Sequence, residues 1–195
     1  MLNPIPEPPV ITPEQAAEFE RNKSKIVNRR QCGACALCCK VLDVAPVDAP
    51  PGQWCRHIVP GKGCGTYSTR PLICRGFHCE WMVAKGLGDE WKPDRCKFVL
   101  VKSAASRSMR AHVDPGFPSA WRKSPYYENF KAWAAEGIRQ SPEMHIVYAM
   151  VGLRVIVILP DRDEDIGIVS PEEQIRLDRV GHEIKVRRAE REAVA

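Results

Sequence analysis

At 195 residues with a net charge of +5, the chain has room for one domain, or one domain and a small module. The longest apolar run, Ile146 to Leu159, is broken by Gly152 and Arg154 and falls short of the roughly 20 residues that span a bilayer, so no membrane segment is expected. The start Met1-Leu2-Asn3-Pro4-Ile5-Pro6 has neither the basic nor the apolar region of a secretory signal, which points to a cytosolic protein with reduced thiols.

Taken in chain order, residues 1–12 carry four prolines and no periodic pattern, as in a flexible arm. Thr12-Pro13-Glu14-Gln15 then has the chemistry of a helix start: a capping threonine, a first-turn proline and a capping-box glutamine. That helix is expected to reach about Asn28, with Ala16, Phe19, Ile26 and Val27 inward. From Gln31 to Cys96 the sequence is rich in Gly and Pro and has no long periodic stretch. Lys97–Val101 reads as a buried strand and Ser108–Val113 as an alternating one. Ser124-Pro125 precedes Tyr127, Phe130, Ala134 and Ile138 at helical spacing. His145–Val151 and Arg154–Leu159 flank Gly152-Leu153, and a glycine at the first position of a two-residue loop suits a type II′ hairpin. Ile166–Val169 reads as a further strand. Ser170-Pro171-Glu172-Glu173 is expected to open a last helix with Leu177, Val180 and Ile184 on one face. The expected class is α+β, a loop-rich cysteine metal module joined to a small antiparallel sheet with flanking helices. Its parts are an arm and leading helix (1–30), the cysteine module (31–98) and an α+β region packed on it (99–195).

The chemistry concentrates in the middle. Eight cysteines, Cys32, Cys35, Cys38, Cys39, Cys55, Cys64, Cys74 and Cys79, fall within one short segment, and Cys96 follows as a ninth. Thiols at this density hold metal or form disulfides. An odd count strands one thiol in an oxidised framework, and a cytosolic setting keeps the others reduced, so metal is the favoured use. A Cys-x2-Cys loop points two sulfurs at one ion, which is why the spacing recurs in zinc and iron–sulfur sites. Neighbouring Cys38 and Cys39 diverge and are hard to place on one mononuclear ion, so more than one metal ion is expected. The segment has little apolar surface for a core of its own. Ligation would supply the missing free energy, roughly 10–16 kcal/mol for a structural zinc in small peptides.

Charge agrees with this use. Between Arg29 and Cys79 lie Arg29, Arg30, Lys40, Arg56, Lys62, Arg70 and Arg75 against only Asp43 and Asp48, a local excess as large as the net charge of the whole chain. Four thiolates on a divalent ion leave about two negative charges, which nearby Arg and Lys offset. Nucleic acid is the rival partner for those cations, but aromatic residues are thinly interleaved and it is disfavoured.

The blocks Cys32-Gly33-Ala34-Cys35-Ala36-Leu37-Cys38-Cys39, Trp54-Cys55-Arg56-His57, Gly63-Cys64-Gly65-Thr66-Tyr67 and Arg70-Pro71-Leu72-Ile73-Cys74-Arg75-Gly76-Phe77-His78-Cys79-Glu80-Trp81 resemble the YkgJ-type cysteine-cluster family. That family is described as a zinc- or iron-chelating domain with a CxxCxxCC signature. The resemblance covers roughly residues 30–98. It implies that Cys32, Cys35, Cys38, Cys39, Cys55, Cys64, Cys74 and Cys79 belong to the chelating set. Cys96 lies beyond the pattern and ranks below them as a ligand.

The remaining residues have plainer readings. Eight thiols already fill two tetrahedral sites, which leaves His57 and His78 as supporting or surface residues rather than ligands. Arg70 and Arg75 could bond the sulfurs or main-chain carbonyls. Trp54, Phe77 and Trp81 read as packing around the site, and Asp161 to Asp165 as a solvated turn. Cys64 and Arg70 match the Cys-x5-Arg spacing of cysteine phosphatases, but Pro71 disfavours the helical geometry that such a loop needs at Arg70. Three functions remain open: a zinc protein presenting a partner surface, an iron–sulfur protein with a redox or enzymatic role, and a metal storage or delivery protein.

Overall fold

The computed structural model describes residues 12–103, 106–140, 144–170 and 172–190. Residues 1–11 of the expected arm lie outside this range. The chain divides between Val99 and Leu100 into two compact units.

In the first unit, α1 (Pro13–Ser24) stops short of the expected Asn28. The Ser24 hydroxyl donates to the Arg21 carbonyl at 2.7 Å, a local bond that competes with helix continuation. Val27 instead donates its N–H to the Met82 carbonyl at 2.9 Å, so this segment joins the cysteine region rather than extending a helix. The side chains of Ala16 and Phe19 lie outside the described residues.

The rest of the unit is built from very short elements. They are α2 (Cys38–Val41), a two-stranded ribbon of β1 (Ile58–Val59) and β2 (Gly63–Cys64), α3 (Leu72–Gly76), α4 (Glu80–Val83) and α5 (Pro93–Cys96). Elements this short carry little stability of their own. A modest apolar core does form, from Leu37, Val41, Trp81, Met82, Leu87 and Trp91. Trp91 meets Phe98 edge-on at 6.0 Å. A satellite of Val47, Ala49 and Cys55 packs with Val44 and Ile58.

The second unit is organised on a five-stranded sheet in the order β3 (Phe98–Ser103), β4 (Ser108–Val113), β5 (Ile146–Val151), β6 (Arg154–Ile158) and β7 (Asp163–Ile168). The class is α+β, as expected, but the sheet is mixed: β4 runs parallel to β5, while β5–β6 and β6–β7 are antiparallel. The parallel pair is possible because α6 (Tyr126–Arg139) lies in the connection from β4 to β5, and a crossover of that length can return the chain in the same direction. Phe130, Ala134 and Ile138 are buried, as the helical spacing predicts. Gly152 has φ +60° in the two-residue loop closed by the Val151–Arg154 pair, the sign that a type II′ turn requires.

Two expectations are corrected. The last helix does not form. Glu173–Val180 is β8 and Glu183–Glu190 is β9, an antiparallel hairpin turned at Gly181 (φ +63°). Ile175 and Leu177 on one strand and Ile184 and Val186 on the other alternate with polar residues. Those four pack against the cluster of Ile138, Ile146, Val155, Val157 and Leu159. Val180, expected on the apolar helix face, is half exposed.

The acidic run is not a solvated turn either, because β7 begins at Asp163. The Asp163 side chain is only 10 % exposed and pairs with Lys131 at 2.9 Å and with Arg122, while Tyr127 donates its hydroxyl at 3.0 Å. Among the described residues no helix is long and apolar enough to cross a membrane.

Candidate metal centre

All nine cysteines lie in the described part of the first unit, and all are free thiols. Cys32 and Cys35 occupy the loop before α2, where the Cys35 N–H bonds the Cys32 carbonyl at 2.9 Å in a tight turn. Cys38 and Cys39 open α2 with sulfurs 3.9 Å apart. Cys55 is buried in the turn before β1, Cys64 lies on β2, Cys74 on α3, and Cys79 at the N-terminal end of α4.

Main-chain bonds set these positions. The Cys55 N–H donates to the Cys39 carbonyl at 2.8 Å, and the Ile58 N–H donates to the Cys55 carbonyl at 3.1 Å. Ile58 pairs with Cys64 across the ribbon, and the Gly65 N–H donates to the His57 carbonyl at 2.8 Å. Gly63 supplies the close approach here. Its φ is +89°, and a Cβ there would meet the Gly33 carbonyl at 3.3 Å, so the ribbon lies directly on the Cys32–Cys35 loop.

The arginines are held by main-chain carbonyls. Arg70 donates from Nε to Cys74 O at 3.2 Å and from Nη1 to Tyr67 O at 2.8 Å, with its guanidinium 3.6 Å from the Tyr67 ring centre. Arg75 donates to Arg70 O at 2.8 Å and to Ser68 O at 3.1 Å. These bonds tie down a loop with no ladder of its own, and they keep the Arg70 charge near the thiols. The phosphatase-like spacing has no matching geometry, since the recorded partners of Arg70 are carbonyls and that of the Cys64 sulfur is the Thr66 hydroxyl at 3.6 Å.

Burial pushes the thiols of Cys32, Cys35 and Cys55 up, those of Cys74 and Cys79 to about 11, and that of Cys96 to about 12. Against burial, main-chain N–H groups favour the thiolate at five of them: its own at Cys32, Leu37 and Asp94 at Cys35, His57 at Cys55, Met82 and Trp81 at Cys79, and Phe98 and its own at Cys96. Arg70 acts the same way on Cys32, Cys39 and Cys74, and Lys92 on Cys32. Cys39 stands apart. The Cys38 S–H bonds its sulfur and holds it down at about 7, while the same bond together with burial keeps Cys38 well up.

Cys96 has a structural role. It is 2 % exposed, and its S–H donates to Phe98 O at 3.1 Å and Trp91 O at 3.4 Å. Trp81 is buried as expected, with the Arg30 guanidinium 5.3 Å and the Lys92 ammonium 5.6 Å from its ring centre. Trp54 corrects the expectation of packing: it is 52 % exposed, with the Lys40 ammonium 5.2 Å from its ring.

Two residues carry weight that sequence alone did not assign. Arg30 binds three carbonyls, those of Trp81, Ala84 and Leu87, and so fastens the entry of the cysteine loop to α4. Lys92 lies beyond the basic segment but reaches Cys32 in space. An arginine immediately before a cysteine loop is the only sequence signal for the first. The second has none.

The donor set suits a soft or borderline metal ion. As placed, no three His, Cys, Asp or Glu among the described residues converge on one point at ligand distance. Among the described residues two buried ring nitrogens lack a hydrogen-bond partner, Nε2 of His57 and Nε1 of Trp81. Their residues are those whose main-chain N–H groups favour the Cys55 and Cys79 thiolates. Buried polar atoms of this kind ordinarily find partners. No family model, no curated protein and no solved structure matches the chain.

Proposed function

We propose that residues 31–98 form a metal-binding module of the YkgJ type, chelating zinc or iron through Cys32, Cys35, Cys38, Cys39, Cys55, Cys64, Cys74 and Cys79 in a cytosolic protein. The observation that carries this reading is that all eight lie as free thiols in one compact unit built of very short elements, with Arg70 favouring the thiolate at Cys32, Cys39 and Cys74. Elements this short carry little stability of their own, and metal ligation would supply it.

In this reading the protein's own groups do three things. Main-chain N–H dipoles and the Arg70 and Lys92 charges offset the excess negative charge of bound thiolates. Arg30, Arg70 and Arg75 fix the loops that bear the sulfurs. The metal supplies the cross-links that short helices and a two-residue ribbon lack. Closed four-thiolate zinc sites have no open position, so the zinc form binds and organises rather than catalyses. The Cys32-x2-Cys35-x2-Cys38 triplet favours a second reading, an iron–sulfur centre with a redox role.

Purification of the full chain in parallel with and without oxygen, followed by metal analysis and a visible spectrum, separates the two. Colourless protein carrying stoichiometric zinc under both conditions is the expected result. Brown protein with iron and acid-labile sulfide selects the iron–sulfur centre. Metal-free protein under both conditions, with no uptake on adding Zn2+ or Fe2+, overturns the proposal.

A further inference from the structure

We propose that the acid-free stretch of residues 49–79 is a docking surface for single-stranded nucleic acid, with the exposed rings of Trp54 and Tyr67 as stacking platforms for its bases. This role goes beyond the metal-binding reading and does not rest on it.

Along the chain, aromatic residues are thinly spaced for such a surface. Folding alters the balance through what it leaves outside. Trp54, Tyr67 and Ile73 are each more than half exposed, and Val59 on β1 is exposed as well. Residues 49–79 contain Arg56, Lys62, Arg70 and Arg75 and no Asp or Glu. Arg56 and Lys62 are exposed. The stretch therefore has no carboxylate of its own to meet its positive charge, and an anionic partner is the complement.

The backbone places a cation at each ring. The Gly52 N–H donates to Lys40 O at 2.7 Å and the Cys55 N–H to Cys39 O at 2.8 Å, which holds residues 52–55 against α2. Trp54 thereby has the Lys40 ammonium 5.2 Å from its ring centre. At Tyr67 the Arg70 guanidinium lies 3.6 Å from the ring centre, fixed by its bond to Tyr67 O. The two pairs bracket the β1–β2 ribbon in sequence, and the Gly65 N–H bond to His57 O closes the ribbon's open end.

A nucleotide carries a flat base and one negative charge, and each ring with its cation offers the complement of both. Unpaired bases are required, because those of a duplex are stacked inside it, out of reach of a side-chain ring. A lipid surface fits less well. Interfacial binding relies on a helix with a large apolar face, and the helix of this stretch, α3, has five residues.

Fluorescence anisotropy with a labelled oligo(dT) of about 15 nucleotides, added to the full chain as purified, tests this. Binding is expected, with log affinity falling linearly as log salt rises. Trp54→Ala and Tyr67→Ala should each weaken it about tenfold and leave the salt slope unchanged, since stacking releases no counterions. Arg56→Gln with Lys62→Gln should weaken it and make the slope shallower by about 1.4, two phosphate contacts at about 0.7 each. Lys102→Gln, which removes an exposed cation on β3, should change neither. The oligonucleotide should also quench tryptophan fluorescence in the unaltered chain and much less in Trp54→Phe, because Trp81, Trp91 and Trp121 are buried. That variant keeps a ring, so it should bind nearly as well as the unaltered chain and controls for loss of folding in Trp54→Ala. No binding at low salt overturns the proposal. So does binding that both ring variants leave unchanged, or that a duplex of the same length matches. Capture of phosphatidylserine vesicles without oligonucleotide binding overturns it as well and assigns the surface to lipid.

Discussion

The Cys38–Cys39 doublet concentrates the residue-scale chemistry. Side by side at the start of α2, the two sulfurs lie 3.9 Å apart, and the hydrogen bond between them favours the thiol at Cys38 and the thiolate, at about 7, at Cys39. Cys74, pushed by burial to about 11, stays protonated over the same range. In the metal-free reduced chain, iodoacetamide at neutral pH should therefore label Cys39 faster than Cys74 by more than about a hundredfold, since the thiolate is the nucleophile. Peptide mass mapping against time reads this, and equal rates would show that Cys39 is not the more acidic of the two thiols compared. Cys96, buried and bonded to two carbonyls, serves as the unreactive reference. The same residues show what was legible. The eight thiols were visible from spacing alone, but the carbonyl bonds of Arg70 and Arg75 were not, because nothing local distinguishes an arginine that binds sulfur from one that binds backbone.

At the scale of elements, two features of the second unit lead to measurable consequences. Gly137 lets α6 meet the segment before β5: a Cβ there would lie 2.5 Å from the His145 carbonyl, whose own N–H bonds Gly137 O at 3.1 Å. Gly137→Ala gains helix propensity, but it must displace backbone. A net loss of about 1–2 kcal/mol by urea denaturation is expected. A stabilised variant would mean that the helix has room to move.

On β4, burial together with the neighbouring Arg110 charge holds His112 down at about 4, against an ordinary 6.5. The folded state thus keeps this imidazole neutral while the unfolded chain protonates it. Its contribution is fully present above pH 6.5 and is lost as pH falls toward about 4, a total of roughly 3 kcal/mol. Denaturation midpoints measured across that window should fall steeply in the wild type and less so in His112→Phe. Parallel slopes would assign the loss to other groups.

The hairpin of β8 and β9 is the element that local pattern misplaced. Leu177, Val180 and Ile184 satisfy a helical spacing by coincidence. Ile175, Leu177, Ile184 and Val186 satisfy a strand spacing about Gly181, and only the strand form covers the apolar face of β5 and β6.

For the whole molecule, the division between Val99 and Leu100 separates two kinds of stability. The second unit owns a continuous core in which Val157, Leu159 and Val155 are almost fully buried. The first has short elements, a modest core and the thiols. If metal holds the first together, a chelator should raise amide hydrogen exchange across residues 30–96 and leave β5 and β6 protected. Exchange read by mass spectrometry checks this, and unchanged protection between residues 30 and 96 would show that the small core around Trp81 and Trp91 suffices.

What the sequence determined by itself was the chemistry and much of the local structure. Cysteine density and spacing, the surrounding positive charge, the strand Ser108–Val113, the hairpin at Gly152-Leu153 and the buried face of α6 all follow from residue type and short-range periodicity. Only the tertiary structure decided the parallel pairing of β4 with β5, the fate of the last segment, the burial of Asp163 among Arg122, Lys131 and Tyr127, and the Cys39 carbonyl as the acceptor for Cys55. Those choices depend on partners distant in the chain. A sulfur finds its neighbours through a carbonyl bond or a ribbon register many residues away, and no local pattern encodes that distance.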